Sequence, residues 1–415
     1  MSLDNRRVLY ISYNGMLDPL GQSQVIPYLK GLSGRGVKFT LLSFERAQAY
    51  SAEGQSRCQL LRDELSPFGI EWHYLRYHQK PSIPATAYDV ISGIRLGRRL
   101  VRVNQIEMVH ARAHIPAVIA LSLKRKLGVK MIFDVRGLMA EEYVDAGHWQ
   151  AGSIAARMTK AMEARVLGTT EGIVTLTDAL WNTMKNWPSL SGRTIAHEVI
   201  PCCVDQEQFR FDDTVRAAKR KELGLDERLV LVYSGSVGGW YMTNEMAQFF
   251  AELKQRRPNA FFLWLTNGNR EIVDRAMARS GIQTNDYVVC AVSSHEVASY
   301  LNAADIGIAF YKRGISRLGT SPVKVSEYLS CALPVIVNAG IGDTDELLKG
   351  RNVGVVVPDF TQRHYAEAVD SIVELTTNGA ELRQRTRAAA EKLFDLDAGV
   401  TRYASLYEEV FARSS

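Results

Sequence analysis

Cysteine is scarce in this chain. Its 415 residues include five, Cys58, Cys202, Cys203, Cys290 and Cys331, an odd number without metal-ligand spacing. A disulfide framework and a zinc ribbon are excluded, and reduced thiols in the cytosol are expected. The adjacent Cys202 and Cys203 read as small buried side chains rather than a redox switch. Long apolar runs are also missing. None approaches the roughly 20 residues that cross a bilayer, and VLYISY near the start is too short for a signal-peptide core. There is no low-complexity tract, no fixed-period repeat, no G-x-G-x-x-G fingerprint and no D-x-D at a strand end. Solenoids, disorder, the dinucleotide-binding turn and the common acidic metal motif are thereby set aside.

What is present is a globular composition, 46% apolar and 23% charged, on a chain too long for one hydrophobic core. The net charge of +5 conceals an asymmetry. Residues 1–200 hold 25 Lys and Arg against 17 Asp and Glu, whereas residues 201–415 hold 25 against 28. Short apolar runs alternate with helical patterns throughout. RVLYISY, VKFTLLSF, IEWHYL, IEMVHA, VKMIFDV and GIVTLT predict six strands in the first half; LVLVYSG, AFFLWLT, YVVCAV, IGIAFY, LPVIVN and VGVVVP predict six in the second. The second set is apolar on both faces, as in buried parallel strands. The expectation is two Rossmann-like, doubly wound α/β domains facing across a cleft: residues 1–200, residues 201–390, and a terminal helix, 391–415, returning to the first.

Ligands of such sheets sit beyond the carboxyl ends of the strands, so candidate site residues are expected at those ends. In the first half, Gly15 and Gly21 flank the turn after strand one and could aim backbone amides at an anion. His110, Arg112 and His114 alternate at one strand end, and Asp134 and Arg136 at the next. Their convergence suits either a site or a structural Asp–Arg pair tying loops together. In the second half, Gly235, Ser236, Gly238 and Gly239 form a flexible loop before Trp240 and Tyr241, which could stack on a ligand or simply pack. In GTSPVKVSEYL, Thr320 or Ser321 could cap a helix with Pro322 at its first position. Lys324 would then lie in the first turn, where the helix dipole repels cations. A phosphate on the amides of Thr320, Ser321 and Val323 would reverse that argument, and Glu327, on the same face, could accept from ribose hydroxyls.

With those residues in place, the chain resembles the family 4 retaining glycosyltransferases of the GT-B fold. VIPCCVDQEQF is similar to the family's inter-domain segment. EYLSCALPVIVNAGIGDTDELLKGRNVGVVV resembles its E-x-L-A-x-G-x-P-V-I signature across a helix, a strand and a loop. The resemblance implies transfer of a sugar from a UDP- or GDP-sugar to a hydroxyl with retention, without a metal or other cofactor. It gives Glu327 the ribose and Gly21 a place near the diphosphate. This chain departs from the pattern at Gly319, where the family has a sugar-binding glutamate, and at Asp134, where it has a histidine. It also departs at Ser236 and Met242, near where the family keeps the Arg and Lys that hold the diphosphate. Lys324, aided by Arg313 or Arg317, is expected to take over that duty. Asp134, Arg136 and His114 are the catalytic candidates; Gly21, Gly235, Ser236, Arg313, Thr320, Ser321, Lys324 and Glu327 are the donor-binding ones.

The basic first half, with Arg95, Arg98, Arg99 and Arg102 on one helix and four cations in KRKLGVK, suits attraction to anionic lipid at the inner face of the cell membrane, or a solvated face. The acceptor expected with it is a lipid-linked or polysaccharide intermediate. No nucleic-acid module is visible, and the second half is acidic. A nucleotide-sugar epimerase of the same fold and an inactive nucleotide-binding scaffold are the alternatives.

Overall fold

The computed structural model describes residues 2–413. It divides into two units: one runs to Pro201 and resumes at Leu396, and the other is Cys202–Asp395. The first contains a seven-stranded sheet: β1 Arg7–Ser12, β2 Lys38–Glu45, β3 Ile70–Arg76, β4 Met108–Arg112, β5 Lys130–Val135, β6 Gly172–Thr175 and β7 Ala196–Val199. Their spatial order is β3-β2-β1-β4-β5-β6-β7, with every pair parallel. All six strands expected in this half form. The seventh, β7, escaped the pattern because AHEV is short and mostly polar, with only Ala196 buried. Such a sequence suits an edge strand, half of whose surface needs no cover.

The second unit holds six parallel strands: β8 Leu229–Ser234, β9 Ala260–Leu265, β10 Tyr287–Cys290, β11 Ile306–Ala309, β12 Val335–Asn338 and β13 Gly354–Val357. Their order is β10-β9-β8-β11-β12-β13. Alternate residues of β8 feed opposite cores: Val230 and Val232 pack into one, Leu231 and Tyr233 into the other. Burial on both faces is why these strands read as unbroken apolar runs. Each sheet reverses its order once, between β1 and β4 and between β8 and β11. Those reversals are where a parallel sheet leaves a crevice, because the flanking connections depart to opposite sides.

The helix Leu396–Ala412 belongs to the first unit. Its Tyr407 hydroxyl meets His110 Nδ1 at 2.7 Å, and its Val400 lies where a side chain on Gly31 would be. A Cβ on Gly31 would come within 2.6 Å of Val400 Cγ2, so that glycine permits the helix Ile26–Ser33 to approach closely. Among the described residues, no helix is long and apolar enough to cross a membrane.

Gly307 in β11 does a similar job for the second unit. The Tyr328 ring lies across it, and the Tyr328 hydroxyl accepts from the Ser234 amide at 2.7 Å, fixing the end of β8. A Cβ at Gly307 would fall 2.4 Å from Tyr328 Cδ2. Gly307→Ala should therefore displace the ring and destabilise the protein by about 1–3 kcal/mol. Urea denaturation measures this; an unchanged midpoint would contradict it.

Candidate functional site

At the β8–β11 reversal, two cations lie buried on aromatic faces. Lys324, in the helix Val323–Ser330, is 8% exposed. Its Nζ lies 3.8 Å from the ring centre of Tyr241, 4.5 Å from that of Tyr233 and 5.4 Å from that of Tyr311. It donates to the Tyr233 hydroxyl at 3.2 Å, and that hydroxyl donates to the Ser236 carbonyl. Gly235 makes room: a Cβ there would sit 2.8 Å from Lys324 Nζ, and φ is 137°. Arg317 is 7% exposed, with its guanidinium 4.3 Å from the centre of Trp240. Its Nε and Nη2 donate to Ser316 Oγ, each at 3.2 Å. Among the described residues, neither cation has a carboxylate within 4 Å.

Magnitudes decide what this means. Taking an ion out of water costs several kcal/mol, and a cation–π contact returns about 0.5–2 kcal/mol. The deficit falls on the charge. Burial pushes the Lys324 amine down to about 7, although Glu327, one turn on, acts to raise it. Burial likewise pushes the Glu327 carboxyl up to about 7 against the pull of Lys324, while the residue keeps partial access to solvent. Arg317 has no such escape, because a guanidinium does not deprotonate. A buried guanidinium that keeps its charge and a buried amine thus rest on the consecutive aromatic residues Trp240 and Tyr241.

Several donor-side expectations need correction. Pro322 is the N-cap, not the first helical residue, and no side chain caps this helix. Ser321 Oγ instead accepts from the Cys202 amide at 3.1 Å, and the Thr320 amide donates to the Arg317 carbonyl at 3.0 Å, so it is not free for a phosphate. Arg313 is exposed, and Arg317 is the buried arginine. Trp240 and Tyr241, open at the sequence level to stacking or packing, carry the two cations. Sequence reasoning missed Tyr233 and Tyr311. The available signal was their position: each stands at or just past a strand end at the reversal.

The first unit places its candidates differently. The Gly15–Gly21 turn directs its amides inward, where Glu45 accepts from Met16 at 2.6 Å and from Leu17 at 3.4 Å. Burial raises the Glu45 carboxyl, and Ser43 Oγ, donating at 2.6 Å, lowers it in part. Gly21 is buried, and a Cβ there would lie 2.3 Å from the Gly15 carbonyl. Its smallness thus serves close packing, and an internal carboxylate holds the turn. Asp134 is fully buried. Its Oδ2 accepts from Arg136 Nε at 3.0 Å and Tyr403 at 3.2 Å, with His110 Nε2 at 3.4 Å. Burial alone would raise its carboxyl, but Arg136, His110 and Arg112 outweigh that and hold it near 2. His114, 4% exposed, pairs with Glu163 at 2.8 Å, and Glu163 with Lys160 at 2.7 Å. The bonds of Asp134, Arg136 and His114 tie strand ends to the helices Leu396–Ala412 and Ile154–Leu167.

With this geometry in view, likeness to known proteins can be weighed. Residues 215–393 match the family described as Glycosyl transferases group 1. The matched stretch lies within the second unit. The α-D-kanosaminyltransferase of Streptomyces kanamyceticus is 20% identical over 258 residues, 61% of this chain and 64% of that protein; the shared part is thus under two thirds of that relative. Sucrose-phosphate synthase from Thermosynechococcus elongatus superposes with a TM-score of 0.73 at 15% identity, over 99% of this chain and 100% of that one. HepE of Anabaena, in complex with UDP-glucose, gives 0.70 at 14% identity, over 98% and 100%. WaaG, described as a glycosyltransferase of lipopolysaccharide biosynthesis, gives 0.65 at 13% identity, over 96% and 98%. The architecture is thus that of the GT-B fold, with two Rossmann-like units.

The buried pair makes stability depend on pH with opposite signs on either side of neutrality. The folded protein holds the Glu327 proton up to about pH 7, whereas the unfolded chain releases it near 4.5, so stability falls as pH rises across that interval. Between about 7 and 10.5 the unfolded chain keeps the Lys324 proton that the folded protein has lost, so stability rises again. Denaturation midpoints against pH should lose the lower limb in Glu327→Gln and the upper limb in Lys324→Met. Unchanged limbs would contradict the assignment.

Proposed function

We propose that the protein transfers a sugar, with retention of anomeric configuration, from a nucleoside-diphosphate sugar to a hydroxyl acceptor. The observation that carries the donor assignment is the pair of buried cations, Arg317 and Lys324, with no carboxylate partner beside the Gly235 loop. A diphosphate there meets a guanidinium, an amine and first-turn amides of the helix Val323–Ser330. Glu327 faces the same opening and accepts from the ribose hydroxyls. Charge that develops on the leaving phosphate is met by these groups, so no metal is needed. The alternative of an inactive scaffold rested on the missing Arg and Lys, and two cations supplied from another segment remove that ground. UDP is the first nucleotide to try, since HepE is described with UDP-glucose; GDP follows.

Calorimetric titration with UDP, GDP, ADP and CMP tests the donor reading. One diphosphate should bind, with Lys324→Met and Arg317→Gln weakening it roughly 10- to 100-fold, as expected for charge-assisted bonds. Unchanged affinity in both variants would reject it. Chelator should leave turnover unaffected, and NMR of the product should show the donor's anomeric configuration.

For the acceptor we propose a lipid-linked or polysaccharide intermediate reached at an anionic membrane. Support comes from the helix Ser82–Val103. Tyr88, Ile91, Arg95, Arg99 and Arg102 are exposed at spacings of three or four, on one stripe. Among the described residues these arginines make no ion pair. KRKLGVK contributes less than expected, because Lys124 pairs with Glu171 and Lys130 donates to the Val410 and Phe411 carbonyls. Replacing Arg95, Arg99 and Arg102 with Gln should abolish co-sedimentation with phosphatidylglycerol vesicles, at about 1 kcal/mol per cation. Equal retention on zwitterionic vesicles would refute the membrane assignment.

A further inference from the structure

The first unit has its own reversal of strand order, between β1 and β4, and two side chains meet there. Arg112 ends β4 and is paired in register with Ser12, which ends β1. Its Nη1 donates to the side-chain oxygen of Asn14 at 3.2 Å. Arg112 is 6% exposed, and its Nε has no hydrogen-bond partner. Among the described residues it forms no ion pair. The carboxylate nearest in register, Asp134 on β5, is already engaged by Arg136 through Nε at 3.0 Å and Nη2 at 2.9 Å. Asp134 Oδ1 also lacks a partner. An arginine kept only for the fold would close on that oxygen; this one turns to Asn14.

The charge balance of the corner is positive. Arg112 and Arg136 face one ionised carboxylate, and burial keeps His110 toward its neutral form. The next residue, Ala113, holds φ 69° and ψ −179°, a region that residues other than glycine rarely occupy. It turns the chain from β4 into the helix His114–Leu127, whose first-turn amides follow Arg112 directly. A guanidinium that cannot deprotonate, with a free N–H, stands at the position where a parallel sheet leaves a ligand crevice.

We propose that Arg112, oriented by Asn14, is an anion subsite at the strand ends of the first unit, taking a phosphate or carboxylate group of a substrate. The planar guanidinium fork fits either oxyanion. The inference goes beyond the donor reading, which rests on residues of the second unit. The source that supplies the required chemistry is an acidic acceptor, such as one bearing a uronate or phosphate.

The full chain tests it. Thermal unfolding is followed at constant ionic strength with sodium phosphate, sodium D-glucuronate or uncharged D-glucose, each with and without saturating UDP. The anions should stabilise the wild type and Lys324→Met, glucose should not, and Arg112→Gln should weaken the anion effect about tenfold or more. Stabilisation that persists in UDP assigns the group to the acceptor. Competition by UDP, with weaker UDP binding in Arg112→Gln, overturns the acceptor assignment. If Arg112→Gln fails to fold, Asn14→Ala, at a partly exposed position, provides the same comparison. No anion effect on the wild type, or equal anion and UDP affinities in wild type and variant, overturns the proposal. A lower melting temperature with unchanged anion binding also overturns it and makes Arg112 a structural partner of Asp134. Failure of the donor reading is separate: it appears as unchanged UDP affinity in both Lys324→Met and Arg317→Gln.

Discussion

The constraint on which the second unit's site depends is the burial of two basic side chains that, among the described residues, have no carboxylate in ion-pair contact. Lys324 and Arg317 are each less than a tenth exposed, and both rest on aromatic faces. Aromatic faces offset only part of the desolvation cost. Lysine can relieve the remainder by losing its proton, and Lys324 is shifted in that direction. Arginine cannot, so Arg317 keeps its charge at a cost to the apo protein. Strain of this kind persists where a ligand relieves it.

The sheets explain why such groups gather. In each unit the strand order reverses once, and the chain segments leaving the two strands at that point are far apart in sequence. In the second unit they bring the Gly235 loop against residues 311–324. In the first they bring Asn14 against Arg112. Glycines set the tolerances: Gly235 gives Lys324 Nζ its place, and Gly307 gives Tyr328 the room to fix the end of β8. The same topology buries a second group of ionisable side chains. Asp134, His110 and Arg136 form a network with Tyr403 and Tyr407 that anchors the returning helix.

The strands were legible because parallel strands buried on both faces leave apolar runs that few other elements produce. Ala196–Val199 was not, because an edge strand carries polar residues. The importance of Lys324 was legible from a violation, a cation at the wrong end of a helix. Its partners were not: the tyrosine cage joins residues 233, 241 and 311, and no local pattern links them. The partners of Asp134, Arg136 and His114 were not legible, because alternating ionisable residues at a strand end look the same whether they face a substrate or each other. Only burial distinguishes the cases, and burial there is contributed by Tyr403 and Tyr407, nearly 300 residues along the chain from His110. The Gly15–Gly21 turn misled similarly, since the anion its amides serve is the protein's own Glu45.

The most direct measurement is a crystal structure of the protein with the nucleoside diphosphate that binds it best. The account predicts phosphate oxygens within about 3 Å of Lys324 Nζ and of the Arg317 guanidinium, with the ribose against Glu327. A diphosphate bound elsewhere, with both cations still enclosed by their aromatic neighbours, would contradict it.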